Sequence, residues 1–198
     1  DFCLSRGLGD VYKRQVLAPR LEHINFPVFG AVKLSMSTRG AINNLKFKPQ
    51  SVSDRVCPPL NTVEIRVRSI GLNFRDVLNV MGLYPGDPGP PGGDCSGTVV
   101  AVGDGVKNFK VGDHVFGIAP GCLKTFVTTD ANLLCKMPKD FTFEQAAALP
   151  VVATTVEYSL RDIAQIKKGD KVLVHAVTGG VGLMVAQYCK AIGATVYG

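Results

Sequence analysis

"HAVTGGVG" (175–182) follows the apolar run "KVLV" (171–174) and precedes "LMVAQYCKAIGATVYG" (183–198). A short apolar run after a Gly-Asp turn reads as a buried strand. Beyond the glycines, Val181, Val185, Cys189 and Ile192 recur at helical spacing, and "ATVYG" opens a second strand. Strand, glycine turn, helix, strand is a βαβ unit, which starts a parallel sheet. In such a turn one glycine lets the backbone bend tightly, another lets a pyrophosphate approach, and the last lets helix and strand pack closely. The helix N-terminus adds free N–H groups and a partial positive charge. Gly179 and Gly182 fill the second and third glycine positions of that pattern, Gly180 adds room, and Val177 stands at the first. With Thr178 and Val181 they form a candidate dinucleotide-binding turn, the alternative being glycines that mark a turn and nothing more. The residue that separates NAD from NADP lies about 20 residues past such glycines, so the chain is expected to stop short of it at Gly198.

Upstream the pattern is different. "AVKLSMS" (31–37) alternates, and "TVEIRVRSIG" (62–71) sets Val63, Ile65 and Val67 on one face against Glu64, Arg66 and Arg68, the period of a half-buried strand. "FRDVLNVMG" (74–82) predicts one short helix with Phe74, Val77, Leu78 and Met81 at helical spacing, ended by Gly82. "YPGDPGPPGGD" (84–94) is a loop, because its prolines and glycines support neither helix nor ladder. "CSGTVVAVG", "DHVFGIA" and "LKTFVTTDANLL" read as further strands. At "FTFEQAAALP" (141–150) the period turns helical, with Thr142 and Gln145 at capping-box spacing and Pro150 as the stop. "VATTVEYSLRDIAQI" (152–166) predicts a second helix. The fold class is therefore α/β with a mostly β N-terminal part. Residues 16–147 form the first domain and 148–198 the start of a nucleotide-binding one. Residues 1–15, "DFCLSRGLGDVYKRQ", have no period and read as a non-native, adapter-derived segment or as a linker.

Composition narrows the function. Hydrophobic residues at 46% and charged residues at 19% describe a globular chain, and no apolar run approaches the roughly 18 residues of a membrane helix. The six cysteines are scattered without a Cys-x-x-Cys pair, which favours free thiols in a cytoplasmic setting over a disulfide framework or a structural zinc. The net charge is +6, of which residues 16–55 carry +4, with six Lys/Arg against two acids. That excess lacks the dense runs and interleaved aromatics of a nucleic-acid site. It reads as a solvated face or as a surface that meets an acidic partner.

These residues resemble a known family. "VLVHAVTGGVG" is similar to the glycine loop of medium-chain dehydrogenases/reductases, which place a GroES-like β domain before a Rossmann doubly wound parallel sheet. "GLNFRDVLNVMGLYPGDPGPPGGDCSGTVVAVG" (71–103) and "STRGAINNLKFKP" (37–49) resemble, more narrowly, the enoyl reductase domains of type I polyketide and fatty acid synthases. The resemblance spans roughly residues 31–198. It implies NADPH-dependent reduction of the α,β double bond of an enoyl thioester held on an acyl carrier protein, beside neighbouring synthase domains. The chain by itself is expected to be inactive.

The chemistry needs a hydride at the β-carbon and a proton at the α-carbon. Tyr84 is the candidate proton donor: it matches the tyrosine that the family carries after "GL" or "GM". Its alternative is a loop tyrosine packed over prolines. The resemblance also places Asn73 and Thr155 near the nicotinamide, Asn73 with a second role as helix N-cap and Thr155 with a buried helix threonine as its alternative. Arg75 and Asp76 read as structural, as a local ion pair, and His175 as structural too. Where zinc-dependent relatives carry Gly-His-Glu, this chain has Gly93, Asp94 and Cys95, so no metal is expected. Two other readings stay open: a free-standing quinone or enone reductase, and a non-catalytic scaffold domain.

Overall fold

The computed structural model describes residues 30–51 and 58–198; the segment 1–15 lies outside them. Its centre is a five-stranded antiparallel sheet in the order β6-β3-β4-β5-β7. The strands are β3 (Thr62–Gly71), β4 (Asp94–Val102), β5 (His114–Ile118), β6 (Phe126–Asp130) and β7 (Leu134–Lys136). Val63, Ile65, Cys95, Val99, Val115, Cys122, Val127 and Leu134 close into one buried cluster. These are mostly β-branched and small residues, suited to a pleated surface.

The expected alternation along β3 holds only in part. Pairing with β4 shifts register between Glu64 and Ile65, and Val63, Glu64 and Ile65 are buried in succession. A bulge of this kind breaks the inside–outside rhythm that strict alternation assumes. Arg66 and Arg68 stay exposed.

A hairpin of β1 (Val32–Met36) and β2 (Leu45–Pro49) lies against the start of β6. The Leu34 N–H donates to the Leu123 carbonyl and the Thr125 N–H to the Val32 carbonyl, both at 2.8 Å. The Gln50 amide completes the seam, donating to the Phe126 carbonyl at 2.8 Å and accepting the Phe126 N–H at 3.0 Å. Helix α1 (Phe74–Val80) follows β3. Its apolar stripe faces outward: Phe74, Val77 and Met81 are exposed while Asn79 and Val80 are buried. Polar contacts on the opposite side of α1, described below, fix that orientation against what hydrophobicity alone would choose.

Helix α2 (Phe143–Ala147) starts at the predicted capping box, with the Thr142 N–H donating to Gln145 at 3.0 Å and the Gln145 N–H donating to Thr142 Oγ1 at 3.2 Å. It lies so close to β3 that a Cβ on Gly71 would sit 2.2 Å from the Ala147 carbonyl oxygen. Pro150 does not simply end α2; it is the first residue of α3 (Pro150–Val156), where its missing N–H costs nothing. The single helix expected over 152–166 is interrupted as well, because Glu157–Ile163 winds as a π-helix. Strand β8 (Lys171–Leu173), helix α4 (Gly180–Ile192) and strand β9 (Thr195–Tyr197) complete the predicted βαβ unit, with β8 and β9 parallel. Val185 and Cys189 of the predicted stripe pack with Val156 of α3 into a second, smaller core, and Val181 is exposed.

Candidate active site

The glycine turn joins β8 to α4. Ala176 bends the chain with φ 54°, a left-handed conformation that side chains rarely adopt. Gly182 is sterically required: a Cβ there would lie 2.5 Å from the Ala176 carbonyl oxygen and 2.6 Å from the Val177 Cα. Gly179 and Gly180 meet far less, the Ala176 oxygen at 3.3 Å and Val152 Cγ1 at 3.6 Å respectively, so they leave space on the outer side of the turn. Thr178, Gly179, Gly180 and Val181 are all exposed. No side chain caps α4 at Gly179, and the opening N–H groups of a helix have no partner within it. An open, uncapped, positively polarised helix start with a glycine cradle fits the pyrophosphate of a dinucleotide. Val177 does not crowd the cradle, since it packs toward Gly198, whose added Cβ would meet it at 2.7 Å.

The second half of the site is built around α1. Asn73 is the N-cap in extended conformation. Its N–H donates to Asp76 Oδ2 at 2.9 Å, and its side-chain Nδ2 donates to Asp94 Oδ2 at 3.0 Å. The same Asp94 oxygen accepts the Val151 N–H at 3.2 Å. One carboxyl therefore ties β4, the start of α1 and the first turn of α3 together. Asp94 is 1% exposed, and its Oδ1 has no hydrogen-bond partner. Burial drives its pKa upward, the hydrogen bonds from Asn73 and Val151 oppose that, and nearby Asp76 adds to it; the net shift is upward. Asp94 was considered above only as a metal-ligand position, and its linking role was missed, because nothing local in "GGDCSG" announces contacts to residues 73 and 151.

Tyr84 is half-buried after the C-terminus of α1. The Arg75 guanidinium carbon lies 5.3 Å from the centre of its ring, and Arg75 Nη2 donates to the Pro88 carbonyl at 3.2 Å. Arg75 and Asp76 are structural, but they serve different partners: Asp76 Oδ1 accepts the Gly92 N–H at 2.7 Å. Arg39 closes the loop from the other side, donating to Asn79 Oδ1 at 3.0 Å and to Asp87 and the Gly89 carbonyl at 3.2 Å. Asn79 Nδ2 reaches the same carbonyl at 3.0 Å. Loop 84–92 is thus held by four side chains. Among them, Arg39 gives "STRG" a physical task that sequence reading recognised only as a resemblance.

Thr155 is exposed, one turn along α3 from Val151, and its hydroxyl donates to the Val151 carbonyl at 2.7 Å. It borders an open groove of about 310 Å³ with Ile118, Val151, Thr154, Tyr158 and Ser159. Since Val152 of α3 also faces Gly180, α3 bridges the glycine turn to the Asp94–Asn73 contact. Tyr84 is linked to this assembly through Arg75 and α1. His175 is exposed and lies in the turn that follows β8, not at the end of the strand. The Cys122 thiol donates to the Asp94 carbonyl at 3.3 Å. Its hydrogen bond with Cys95, together with burial, pushes its pKa up, so it stays a neutral thiol. Among the described residues no three His, Cys, Asp or Glu side chains converge on a metal position, and no helix is long and apolar enough to cross a membrane.

Residues 60–139 match the alcohol dehydrogenase GroES-like domain family. The chain's solved neighbours include polyketide enoyl reductases of the medium-chain dehydrogenase/reductase superfamily. It is 42% identical over 170 residues to a mycocerosic acid synthase-like polyketide synthase of Mycobacterium tuberculosis, covering 84% of this chain and 8% of that protein. It superposes on the crystal structure of CurK enoyl reductase with a TM-score of 0.79 at 37% identity, covering 84% of this chain and 53% of that one. A mycobacterial protein solved in complex with NADPH matches with a TM-score of 0.74 at 34% identity, covering 84% of this chain and 51% of its own. The chain therefore spans about half the length of these solved relatives and a small part of the synthase.

Proposed function

We propose that this chain is part of an enoyl reductase of a multidomain polyketide or fatty acid synthase, which reduces the α,β double bond of an enoyl thioester on an acyl carrier protein. The domain boundary is at residue 147/148. The observation that carries the reading is the Asp94 junction, which joins the glycine-turn side of the site, through α3, to the α1 side that holds Tyr84. Bound at the turn, NADPH supplies the hydride for the β-carbon. The N–H groups at the start of α4, framed by Thr178, Gly179, Gly180, Val181 and Gly182, would hold its phosphates, and Asn73 and Thr155 would line the nicotinamide end of the site. Tyr84, positioned by Arg75, gives its phenolic proton to the α-carbon as the enolate collapses.

The test compares Tyr84→Phe with the unaltered synthase domain on a carrier-bound enoyl substrate. A general acid contributes roughly 10²–10⁴-fold, so kcat is expected to fall about a hundredfold or more, with the NADPH dissociation constant unchanged. An unaffected kcat removes Tyr84 from the chemistry. Absence of enoyl reduction by the unaltered protein removes the reading altogether.

A further inference from the structure

Asn73 and Thr155 are joined by a continuous polar chain that passes from β4 into α3. Asn73 Nδ2 donates to Asp94 Oδ2 at 3.0 Å, the Val151 N–H donates to the same oxygen at 3.2 Å, and the Thr155 hydroxyl donates to the Val151 carbonyl at 2.7 Å. Asp94, 1% exposed, is the middle of that chain. A backbone N–H can only donate, so Oδ2 is an acceptor whether or not the carboxyl is ionised. Any proton the carboxyl takes up goes to Oδ1, which has no hydrogen-bond partner. The Asn73 amide is thereby held with its nitrogen toward Asp94, and its carbonyl end belongs to the capping box at the start of α1. Turning the amide over would set oxygen against oxygen and lose the bond.

This leaves a definite polarity at the two ends of the chain. An amide nitrogen carries two hydrogens. Asn73 gives one to Asp94, and the other meets no acceptor among the described residues. A threonine hydroxyl carries one hydrogen, and Thr155 gives it to Val151, so toward any other group its oxygen can only accept. Asn73 is half-buried, while Thr155 is exposed and borders the groove with Ile118 and Tyr158. A free donor at 73 and a free acceptor at 155 are the complement of a primary carboxamide, which accepts at its oxygen and donates at its nitrogen.

We infer that Asp94 is a positioning residue: it turns the free N–H of Asn73, and through the Val151 N–H sets the Thr155 oxygen on α3, so that the pair reads the carboxamide of a nicotinamide ring. The inference rests on the enoyl reductase reading and adds to it the residue that orients cofactor recognition. Asp94 acts through its two donors. Without its acceptor oxygen both lose a buried partner, and the donor–acceptor pattern is no longer fixed.

The experiment is a calorimetric titration, without turnover, of the synthase domain that contains this chain. The probes are NADP, its thionicotinamide analogue, whose sulfur accepts hydrogen bonds weakly, and its acetylpyridine analogue, in which a methyl group replaces the amide nitrogen. The unaltered protein is expected to bind NADP about fivefold more tightly than either analogue, the size of one hydrogen bond. Asp94→Leu brings the preference over the thionicotinamide analogue close to one and reduces the other. Asp94→Asn, which keeps the acceptor oxygen, retains both preferences, and Thr155→Val loses only the preference over the acetylpyridine analogue. Should Asp94→Leu not fold, Asp94→Ser takes its place, since its side chain is too short to meet both donors. Equal weakening of all three dinucleotides in the Leu or Ser variant makes Asp94 a stability residue and overturns the inference, as does loss of both preferences in Asp94→Asn. Binding without any preference in the unaltered protein overturns the role of Asp94 alone; if the unaltered protein binds none of the three, the enoyl reductase reading itself has failed.

Discussion

Gly182 and Gly180 are two residues apart, but the fold uses them differently. The Gly182 site is closed by backbone atoms of Ala176 and Val177, while Gly180 meets one valine methyl at ordinary contact distance. Overpacking a closed site costs roughly 1–3 kcal/mol. Gly182→Ala is therefore expected to lower the thermal midpoint measurably. Gly180→Ala should leave stability near that of the unaltered protein, and equal destabilisation by both would contradict the steric reading. Asp94 supports a second prediction at this scale. Its carboxyl is held above the usual value of 3.8, chiefly by burial. A carboxyl whose folded-state pKa is raised binds its proton more tightly when folded. Its stabilising contribution is present at low pH and is lost as pH rises from about 3.8 through the folded value. Asp94→Asn keeps an oxygen for Asn73 and Val151 and cannot ionise, so melting followed against pH should lose this part of the decline. An identical pH slope in the variant would show that Asp94 is not the group responsible.

Element by element, the loop after α1 depends on side chains far from it in sequence. Arg39 reaches three acceptors on α1 and the loop, at 3.0 and 3.2 Å. Its ion pair with Asp87 is largely exposed, with the aspartate side chain 84% accessible, so that contact is worth little by itself. The bond to buried Asn79 matters more, because its loss leaves a buried amide oxygen unpaired. Arg39→Ala is expected to speed proteolysis and hydrogen exchange within residues 84–92 while the five-stranded sheet keeps its protection. Uniform loss of protection across the molecule would instead make Arg39 a general stability residue. The π-helical turn after α3 also belongs at this scale. Such turns often occur at functional sites, and here Tyr158 and Ser159 of that turn line the groove beside Thr155.

Across the whole molecule the two cores differ in size. The β core joins nine buried residues, seven of them on the five strands, and the core around α4 has three. Leu173, Leu183 and Tyr197 of the βαβ unit are each more than half exposed. Local stability follows buried apolar contact, so amides of residues 171–197 in this chain are expected to exchange well before those of β3 and β4. Equal protection in both regions would show one cooperative unit. The sequence by itself determined the βαβ unit, the capping box at Thr142, the loop at 84–94 and the β-rich first part. Each of these rests on local signals: period, glycine and proline placement, and cap chemistry. The outward turn of the α1 stripe, the burial of Glu64, the break of the second helix into a π turn and the junction at Asp94 were decided only by the tertiary structure. They depend on contacts between residues as far apart as 73, 94 and 151, and on a register shift between paired strands. A chain's local pattern carries no record of which distant polar group will satisfy it, and burial makes that satisfaction the controlling energy.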